Sequence, residues 1–252
     1  HAMTTISTGG YSNHNQSFAF FNSLSIEIIS IIFMIIGSLP FVIYLQLLHK
    51  QNLLIIKDDQ IKLFFQILLL IILLTIIWLF LFKSIPIEES IRMSIFNITS
   101  ILTGTGYTVN NYSNWGSFGL VIMIIIMFIG GCAGSTTCGI KVFRLQILFL
   151  FIKNQIKKLI HPNRILVINY NNEKIEDNFI SSVIIFIFSY LFLFLIIAIL
   201  LSITGLDFLS AISGAATSIS NVGPGLGEMI GPNGNFGEVS NISKWILSFG
   251  ML

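Results

Sequence analysis

Apolar residues are concentrated in long runs along this chain, separated by shorter polar stretches. The run 63–82 contains no charged residue over about 20 positions, and 179–203 is a second such run. A third run covers 24–48, with Glu27 near its start, and a fourth, 118–152, is interrupted by small and polar residues. About 20 apolar residues in a helix cross the roughly 30 Å of bilayer hydrocarbon. The pattern therefore predicts an all-α integral membrane protein.

Composition supports this class, and the distribution of charge adds an orientation. Hydrophobic residues make up 54% of the chain and charged residues 10%, with a mean hydropathy of +0.89. Basic residues cluster after the first run and after the break in the interrupted run; they are Lys50, Lys57, Lys62, Lys141, Arg144, Lys153, Lys157, Lys158, Arg164 and Lys174. Cytoplasmic loops are rich in Lys and Arg, so the linkers 49–61 and 153–178 are predicted to be cytoplasmic. The polar segments 1–23, 83–117 and 204–240 then lie outside.

A short motif recurs three times in the segments assigned to the outside. Its copies read TTISTGGY, SILTGTGY and TSISNVGP, and align on Gly10, Gly106 and Gly223. Each copy has Ser or Thr six residues before the glycine, Ile or Leu four before it, and Ser or Thr three before it. The spacing between copies suits a repeated module of two membrane-spanning helices and a loop.

The segments before the second and third copies are short and moderately apolar. At about 1.5 Å per residue, Ser90–Leu102 and Asp207–Ser218 reach only about half of the bilayer, which predicts re-entrant half-helices. Residues 1–6 resemble the end of another. The C-terminal dipole end of such a helix favours a cation near the membrane centre. Glycine allows successive carbonyls to face one side, as in the carbonyl rings that replace the hydration shell of potassium in channels. The motif therefore predicts a filter for a monovalent cation.

The string GGCAGSTTCG at Gly130–Gly139 interrupts the run 118–152. Its glycines and hydroxyl residues disfavour a continuous helix. Two interpretations remain open, namely close helix packing through small residues and a flexible intramembrane loop that gates the filter. Lys141 and Arg144 follow directly, and ionisable residues at such depth usually face a cavity or a pathway.

No residue pattern indicates catalysis, so we expect a protein that is not an enzyme. Cys132 and Cys138 have neither the spacing nor the surroundings of a zinc or redox pair, and are interpreted as small packing residues. Carboxylate pairs and combinations of a nucleophile with a base are not recognisable in the sequence.

The ordered set of motifs resembles the TrkH branch of the Trk/Ktr/HKT potassium transporters. The strings that carry the resemblance are STGGYS, TGTGYT, SNVGPGLG, GGCAGSTTCGIK and IHPNR, spread along nearly the whole chain. The family implies repeats of outer helix, pore half-helix, filter loop and inner helix around a pseudo-fourfold ion pore. Potassium would be the transported ion, bound by the carbonyls of Thr8, Gly9, Gly10, Gly104, Thr105, Gly106, Asn221, Val222 and Gly223. The gating loop would comprise Gly130, Gly131, Gly134, Ser135, Thr136, Thr137, Gly139 and Lys141.

The resemblance also implies partners and a division of the chain. It implies a homodimer in the bacterial cytoplasmic (inner) membrane, cytoplasmic nucleotide-binding TrkA-type regulatory subunits, no covalent cofactor and no nucleic acid. The segments would be a partial second repeat at 1–48, a linker at 49–61, a third repeat at 62–152, a linker at 153–178 and a fourth repeat at 179–252. Only three of four filters are present, so we expect a fragment that lacks the first repeat and the end of the last inner helix.

Two alternatives to a potassium-selective pore remain. One is a KtrB-like sodium-coupled or less selective cation transporter, and the other is a non-conducting remnant of such a protein. Cys138 occupies a position where the family often has glycine, which bears on the flexibility expected of the gating loop.

Overall fold

The computed structural model describes residues 1–48, 58–161, 168–171 and 173–252. Residues 49–57 of the first predicted linker and 162–164 of the string IHPNR lie outside these ranges. The described residues form the helices α1 (Ala2–Ile6), α2 (Leu24–Ser38), α3 (Phe41–Leu48), α4 (Asp59–Lys83), α5 (Ile87–Leu102), α6 (Gly116–Phe128), α7 (Val142–Ile160), α8 (Asp177–Ile203), α9 (Phe208–Ser220) and α10 (Asn241–Gly250). Short 3-10 helices cover Ser17–Phe21 and Tyr112–Trp115.

Among the described residues, two helices are long and apolar enough to cross a membrane. They are α4, with 25 residues, and α8, with 27. Both begin slightly before the apolar runs that predicted them. In α4 the reason is a polar cap, because the Asp58 side chain accepts a hydrogen bond from the backbone amide of Gln60.

The run 24–48 is bent rather than straight. Helices α2 and α3 meet at an angle of 92°, and they count as a third span only if the bent pair is taken as one. Leu39 is extended (φ −87°, ψ 155°) because Pro40 follows it and disfavours a helical conformation in the preceding residue. The Tyr44 hydroxyl, 2.5 Å from the carbonyl oxygen of Ile36, closes the inside of the corner.

Each long helix packs against the shorter helix that follows it, α4 against α5 and α8 against α9. Helices α5 and α9, with 16 and 13 residues, are about 24 and 20 Å long, too short to cross the hydrocarbon core. The last seven residues of α5, Phe96–Leu102, are all buried. Helix α6 then contacts both α5 and α9. The C-terminal ends of the half-helices therefore lie in the protein interior.

The described part of the second predicted linker, 153–178, has more regular structure than the sequence suggested. Helix α7 continues to Ile160, and the strands β1 (Asn169–Tyr170) and β2 (Glu173–Lys174) form a hairpin with Asn169 opposite Lys174. The Tyr170 ring makes an edge contact with Phe143 at the start of α7, with ring centroids 4.8 Å apart. The hairpin is thereby held close to the beginning of α7.

Candidate ion filter and gating loop

The three copies of the motif share the same backbone hydrogen bonds. The residue before each central glycine donates its amide to the carbonyl five residues earlier, at 2.7 Å for Gly9, 2.9 Å for Thr105 and 3.0 Å for Val222. The residue two before each glycine donates to the carbonyl three residues earlier, at 3.2, 3.0 and 3.2 Å in the same order. This pair of bonds is a Schellman motif, which ends a helix with one left-handed residue. The Ser, Thr, Ile and Leu positions shared in sequence are thus the last turn of each half-helix.

Each loop has left-handed residues at alternate positions. The positive φ values are 51° at Thr8, 63° at Gly10, 68° at Gly104, 81° at Gly106, 51° at Asn221 and 110° at Gly223. In an extended chain successive carbonyls point to opposite sides, and alternating left-handed residues turn them toward one side. Thr8 and Asn221 adopt this conformation without being glycine, which costs of order 1 kcal/mol or more per residue. The three loops therefore have the same backbone conformation even at positions where their residue types differ.

The backbone carbonyls predicted as ion ligands accept no hydrogen bond from the part of the chain that the structure describes. Within the described ranges, none of the nine carbonyl oxygens at residues 8–10, 104–106 and 221–223 accepts one. Five of the nine residues are buried, namely Thr8, Gly104, Thr105, Gly106 and Val222, and more than nine in ten buried backbone carbonyls in proteins have a partner. Three adjacent loops with free carbonyls are therefore a set of oxygen ligands available to a cation.

The three loops lie side by side in chain order. A Cβ atom placed on Gly10 would lie 1.7 Å from the carbonyl oxygen of Thr105, and one on Gly106 would lie 1.9 Å from that of Val222. Only glycine allows such close approaches. A Cβ atom on Gly223 has no described atom within 4 Å. The first loop thus abuts the second, and the second abuts the third.

The second loop is the best enclosed of the three. Gly104, Thr105 and Gly106 are all buried, whereas Gly9 and Gly223 in the flanking loops are exposed. The hydroxyls of Tyr107 and Thr4, whose oxygens lie 2.5 Å apart, connect the second loop to the first half-helix. This contact was not predicted, although the tyrosine after the central glycine is present in both the first and second copies.

Buried hydroxyl groups surround the end of α5. The side-chain oxygens of Ser94, Thr99 and Ser100 have no hydrogen-bond partner among the described residues. Thr103 and Thr105 pair with each other at 2.8 Å. In the second copy of the motif, the residue six before the central glycine is Ser100. Its position was predicted only as part of the motif, and its hydroxyl is one of these unpaired groups near the predicted filter.

Residues 129–141, between α6 and α7, form a closed loop instead of a helix. Its two ends pair through the amide of Gly130 and the carbonyl of Ile140 at 2.8 Å, and through the amide of Ile140 and the carbonyl of Phe128 at 2.9 Å. A Cβ atom on Gly130 would lie 1.9 Å from the carbonyl oxygen of Cys138. Gly134 and Gly139 adopt positive φ values of 76° and 74°. Several glycines of this segment are therefore required by its geometry.

Polar side chains hold the interior of this loop together. The hydroxyl of Thr137 accepts a hydrogen bond from the Gly131 amide at 2.9 Å and lies 2.8 Å from the Ser135 hydroxyl. The Lys141 ammonium donates to the carbonyl and hydroxyl of Thr137 and to the hydroxyl of Ser135. These contacts describe an ordered segment, and both interpretations of the sequence, close packing through small residues and a gating loop, stay predictions.

The loop also contacts the predicted filter directly. The hydroxyl of Thr136 lies 3.0 Å from the hydroxyl of Thr8 and donates to the carbonyl of Gly37 at 3.0 Å. A Cβ atom on Gly104 would lie 3.8 Å from the backbone nitrogen of Cys138. The loop therefore lies against the first two of the predicted filter loops.

A second set of contacts fixes the loop to the corner between α2 and α3. The amide of Cys132 donates to the carbonyl of Ser38 at 3.0 Å, and the amide of Phe41 donates to the carbonyl of Gly134 at 2.9 Å. The 92° bend of this helix pair therefore provides backbone groups that hold the loop.

The two cationic residues after the break line a cavity of about 550 Å³. Lys141, Arg144, Ala133 and Gly134 form one side of it, and residues of α8 form the other. The Arg144 guanidinium lies 3.9 Å from the centre of the Phe186 ring, a cation–π contact.

One ion pair in the apolar region was missed by the sequence analysis. Glu27 on α2 accepts two hydrogen bonds from the Arg92 guanidinium on α5, at 2.6 and 2.8 Å. The Glu27 side chain is 4% exposed and that of Arg92 is 38% exposed. The pair fixes the half-helix of the second filter to the helix that follows the first. The sequence did contain a signal for this pair, because Glu27 and Arg92 are oppositely charged residues that each lie within an apolar segment.

Comparison with known proteins finds similar sequences along the whole chain. A family model described as "TrkH: Cation transport protein" matches residues 1–252. The Trk system potassium uptake protein TrkI of Halomonas elongata is 40% identical over 253 residues, which cover 100% of this chain and 51% of that protein. The Trk system potassium uptake protein TrkH of Salmonella typhimurium is 31% identical, with 100% and 52% covered.

A solved structure has the same fold. The crystal structure of the potassium transporter TrkH from Vibrio parahaemolyticus superimposes with a TM-score of 0.92 at 31% identity, covering 100% of this chain and 54% of that one. This likeness confirms the predicted helical fold class. The chain spans about half the length of the relatives that it matches.

Proposed function

The chain belongs to the TrkH family of cation transport proteins, as its motifs predicted, and from this premise we propose that it forms the filter and gate of a potassium-uptake pore. The observation that carries the proposal is the set of nine carbonyl oxygens without a hydrogen-bond partner in the described part of the chain. They lie on three adjacent loops that share the same sequence of backbone conformations.

In this proposal potassium is selected by backbone oxygens rather than by charged side chains. The carbonyls of the nine residues would replace the water molecules lost when the ion enters the filter. The half-helices α5 and α9 end at these loops, so the negative ends of their dipoles stabilise a cation there. Only the central glycine is common to all three loops, and we expect fewer tightly bound ions than in a potassium channel filter.

The segment Gly130–Gly139, with Lys141, is proposed as the gating loop. It lies against the first two filter loops, where it would obstruct an ion leaving the filter. Opening would require the loop to move away, which breaks the Thr136–Thr8 contact and the hydrogen bonds to Gly37 and Ser38. The observed arrangement then corresponds to a closed gate.

Several features belong to the whole protein and rest on the family resemblance. We propose that a fourth filter loop completes the ring beside Gly223, and that the protein is a homodimer with TrkA-type nucleotide-binding subunits on its cytoplasmic side. The filter loops would face outward from the bacterial inner membrane, and the linkers 49–61 and 153–178 would be cytoplasmic. The repeats would divide the chain at 1–48, 62–152 and 179–252.

The test uses a chimera in which this chain replaces the matched half of the Halomonas elongata TrkI. Rubidium-86 uptake is measured in bacteria that lack their own potassium uptake systems. Gly223→Ser is compared with Gly205→Ser, because both glycines have positive φ values, 110° and 92°, and a Cβ atom placed on either would have no described atom within 4 Å. Only Gly223 lies in a filter loop.

We expect Gly223→Ser to reduce uptake to the background of cells without the chimera, and Gly205→Ser to retain it at equal membrane expression. Equal uptake by the two variants would show that the third loop does not form the filter. An inactive parent chimera that is correctly inserted and dimeric would support a non-conducting remnant instead.

A further inference from the structure

A buried glutamine connects the gating loop to the start of α4. Gln60 lies in the first turn of that helix, and the residue is 7% exposed. Its side-chain oxygen Oε1 accepts a hydrogen bond from the backbone amide of Ala133 at 3.0 Å. Its side-chain nitrogen Nε2 donates to Oδ2 of Asp58 at 3.0 Å. The carboxylate can only accept and the amide of Ala133 can only donate, so both contacts fix the orientation of the glutamine amide.

Asp58 in turn connects this glutamine to the cytoplasmic hairpin. Its Oδ1 accepts hydrogen bonds from the Tyr170 hydroxyl at 2.7 Å, from Nδ2 of Asn171 at 3.1 Å and from the Gln60 amide at 3.1 Å. Burial opposes ionisation of Asp58, but the hydrogen bonds from Tyr170, Asn171 and Gln60 lower its pKa below the ordinary value. The carboxylate is therefore ionised at neutral pH, and its hydrogen bonds are charge-assisted.

Helix capping alone does not account for this arrangement. A capping aspartate needs only the bond from the Gln60 amide. The contacts to Tyr170 and Asn171 come from a segment more than 100 residues away, and the contact to Ala133 reaches a segment about 70 residues away. Four consecutive polar groups thus form an unbroken chain of hydrogen bonds from the hairpin to the gating loop.

We propose that Gln60 is a positioning residue for the gating loop, and that the chain Tyr170–Asp58–Gln60–Ala133 transmits movement of the strands β1 and β2 to that loop. The proposal rests on the gating role proposed above. Displacing the hairpin removes donors from Asp58, which frees Gln60 to turn and releases the amide of Ala133. A cytoplasmic event would thereby reach a loop that lies against the filter.

The chain contains its own probe of this loop. It has two cysteines, and both lie in the loop, Cys132 buried and Cys138 exposed. Cys132 directly precedes Ala133, so release of the Ala133 amide should expose its thiol. A maleimide reagent applied to the purified full chain in micelles, with the two sites separated by peptide mass spectrometry, reports loop position without any ion transport.

We expect Gln60→Leu to raise the labelling rate of Cys132 about five-fold or more, the factor that corresponds to one lost hydrogen bond. Gln66→Leu is the matched control, since Gln66 is an exposed residue of the same helix whose side chain makes no hydrogen bond among the described residues. Tyr170→Phe keeps the ring packing against Phe143 and removes only the hydroxyl, so it should raise the labelling rate through the relay.

A charge exchange separates this relay from a purely structural role. Gln60→Glu places a second carboxylate against that of Asp58. The two negative charges repel each other, so the labelling rate of Cys132 should increase. Adding Asp58→Asn places a side-chain amide where Oδ2 of Asp58 was. This amide can donate a hydrogen bond to the new carboxylate at position 60, and the remaining side-chain oxygen at position 58 can still accept one from the Tyr170 hydroxyl. The double variant should therefore return labelling to the level of the unchanged chain, which a variant that merely failed to fold would not do.

Labelling of Gln60→Leu equal to that of Gln66→Leu would overturn the positioning role. An unchanged rate in Tyr170→Phe, or a double variant that labels as fast as Gln60→Glu alone, would overturn the relay. Loss of rubidium uptake in the parent chimera leaves these labelling results intact, so failure of the proposed function and failure of the relay are distinguishable.

Discussion

The contact between the second and third of the proposed filter loops makes a quantitative prediction for two glycines of the second loop. Gly104 and Gly106 have similar left-handed conformations, with φ values of 68° and 81°. Alanine at either position should cost about 1–2 kcal/mol for the left-handed backbone. A Cβ atom on Gly104 meets nothing closer than 3.8 Å, whereas one on Gly106 would lie 1.9 Å from the carbonyl oxygen of Val222. That carbonyl must move by about 1.5 Å to restore an ordinary contact, and overpacking of this kind costs about 1–3 kcal/mol more.

The assay is thermal unfolding of the purified full chain in detergent micelles. We expect Gly106→Ala to melt roughly 2–12 °C below Gly104→Ala, since 1 kcal/mol shifts the melting temperature by about 2–4 °C for a chain of this size. The difference between the variants isolates the loop contact because the backbone cost is common to both. A melting temperature of Gly104→Ala equal to or lower than that of Gly106→Ala would refute the side-by-side arrangement of the loops.

Three further predictions concern polar contacts around the pore. Arg92→Leu should lower the free energy of unfolding by about 3–5 kcal/mol, because it leaves the buried carboxylate of Glu27 unpaired; Glu27→Gln should cost less, and chemical unfolding in micelles compares them. Asp58→Asn should melt below the unchanged chain at neutral pH. The difference should shrink as the pH falls below the ordinary value of 3.8, because a depressed pKa stabilises the fold only while the carboxylate is ionised. Thr136→Val removes the hydroxyl contact to Thr8 in the closed arrangement, about 1 kcal/mol, so resting rubidium uptake by the chimera should rise about five-fold; unchanged uptake would contradict the closed-gate assignment.

The helical class and the repeated motif that ends each half-helix could be predicted because both depend on local pattern. A long uncharged run determines a spanning helix, and the recurring positions of the motif are the last turn of a half-helix followed by a left-handed residue. A glycine at the left-handed position, as at Gly104, can be recognised in the sequence. Thr8 and Asn221 occupy the same position without being glycine, and only the structure gives their φ values of 51°. The alternation of backbone conformation was therefore predictable at the central glycines and at Gly104, but not at Thr8 and Asn221.

Contacts between distant segments could not be predicted from the pattern. In the sequence, Gln60 and Asp58 are ordinary residues for the start of a helix. No motif or spacing near them indicates the contacts with Ala133 and Tyr170. The bend between α2 and α3 had a signal in Pro40, but the apolar run around it resembled one continuous span. These features depend on which segments the fold brings together, and a single sequence does not contain that information in any local spacing.

The central claim, that backbone carbonyls of these loops select potassium, is tested most directly by ion selectivity in proteoliposomes containing the chimera. The reversal potential is measured with potassium on one side and sodium on the other, for the parent chimera, Gly205→Ser and Gly223→Ser. We predict a strong preference for potassium in the parent and in Gly205→Ser, and loss of conduction or of this preference in Gly223→Ser. A parent that conducts sodium and potassium equally, or a preference that Gly223→Ser leaves unchanged, would contradict the account.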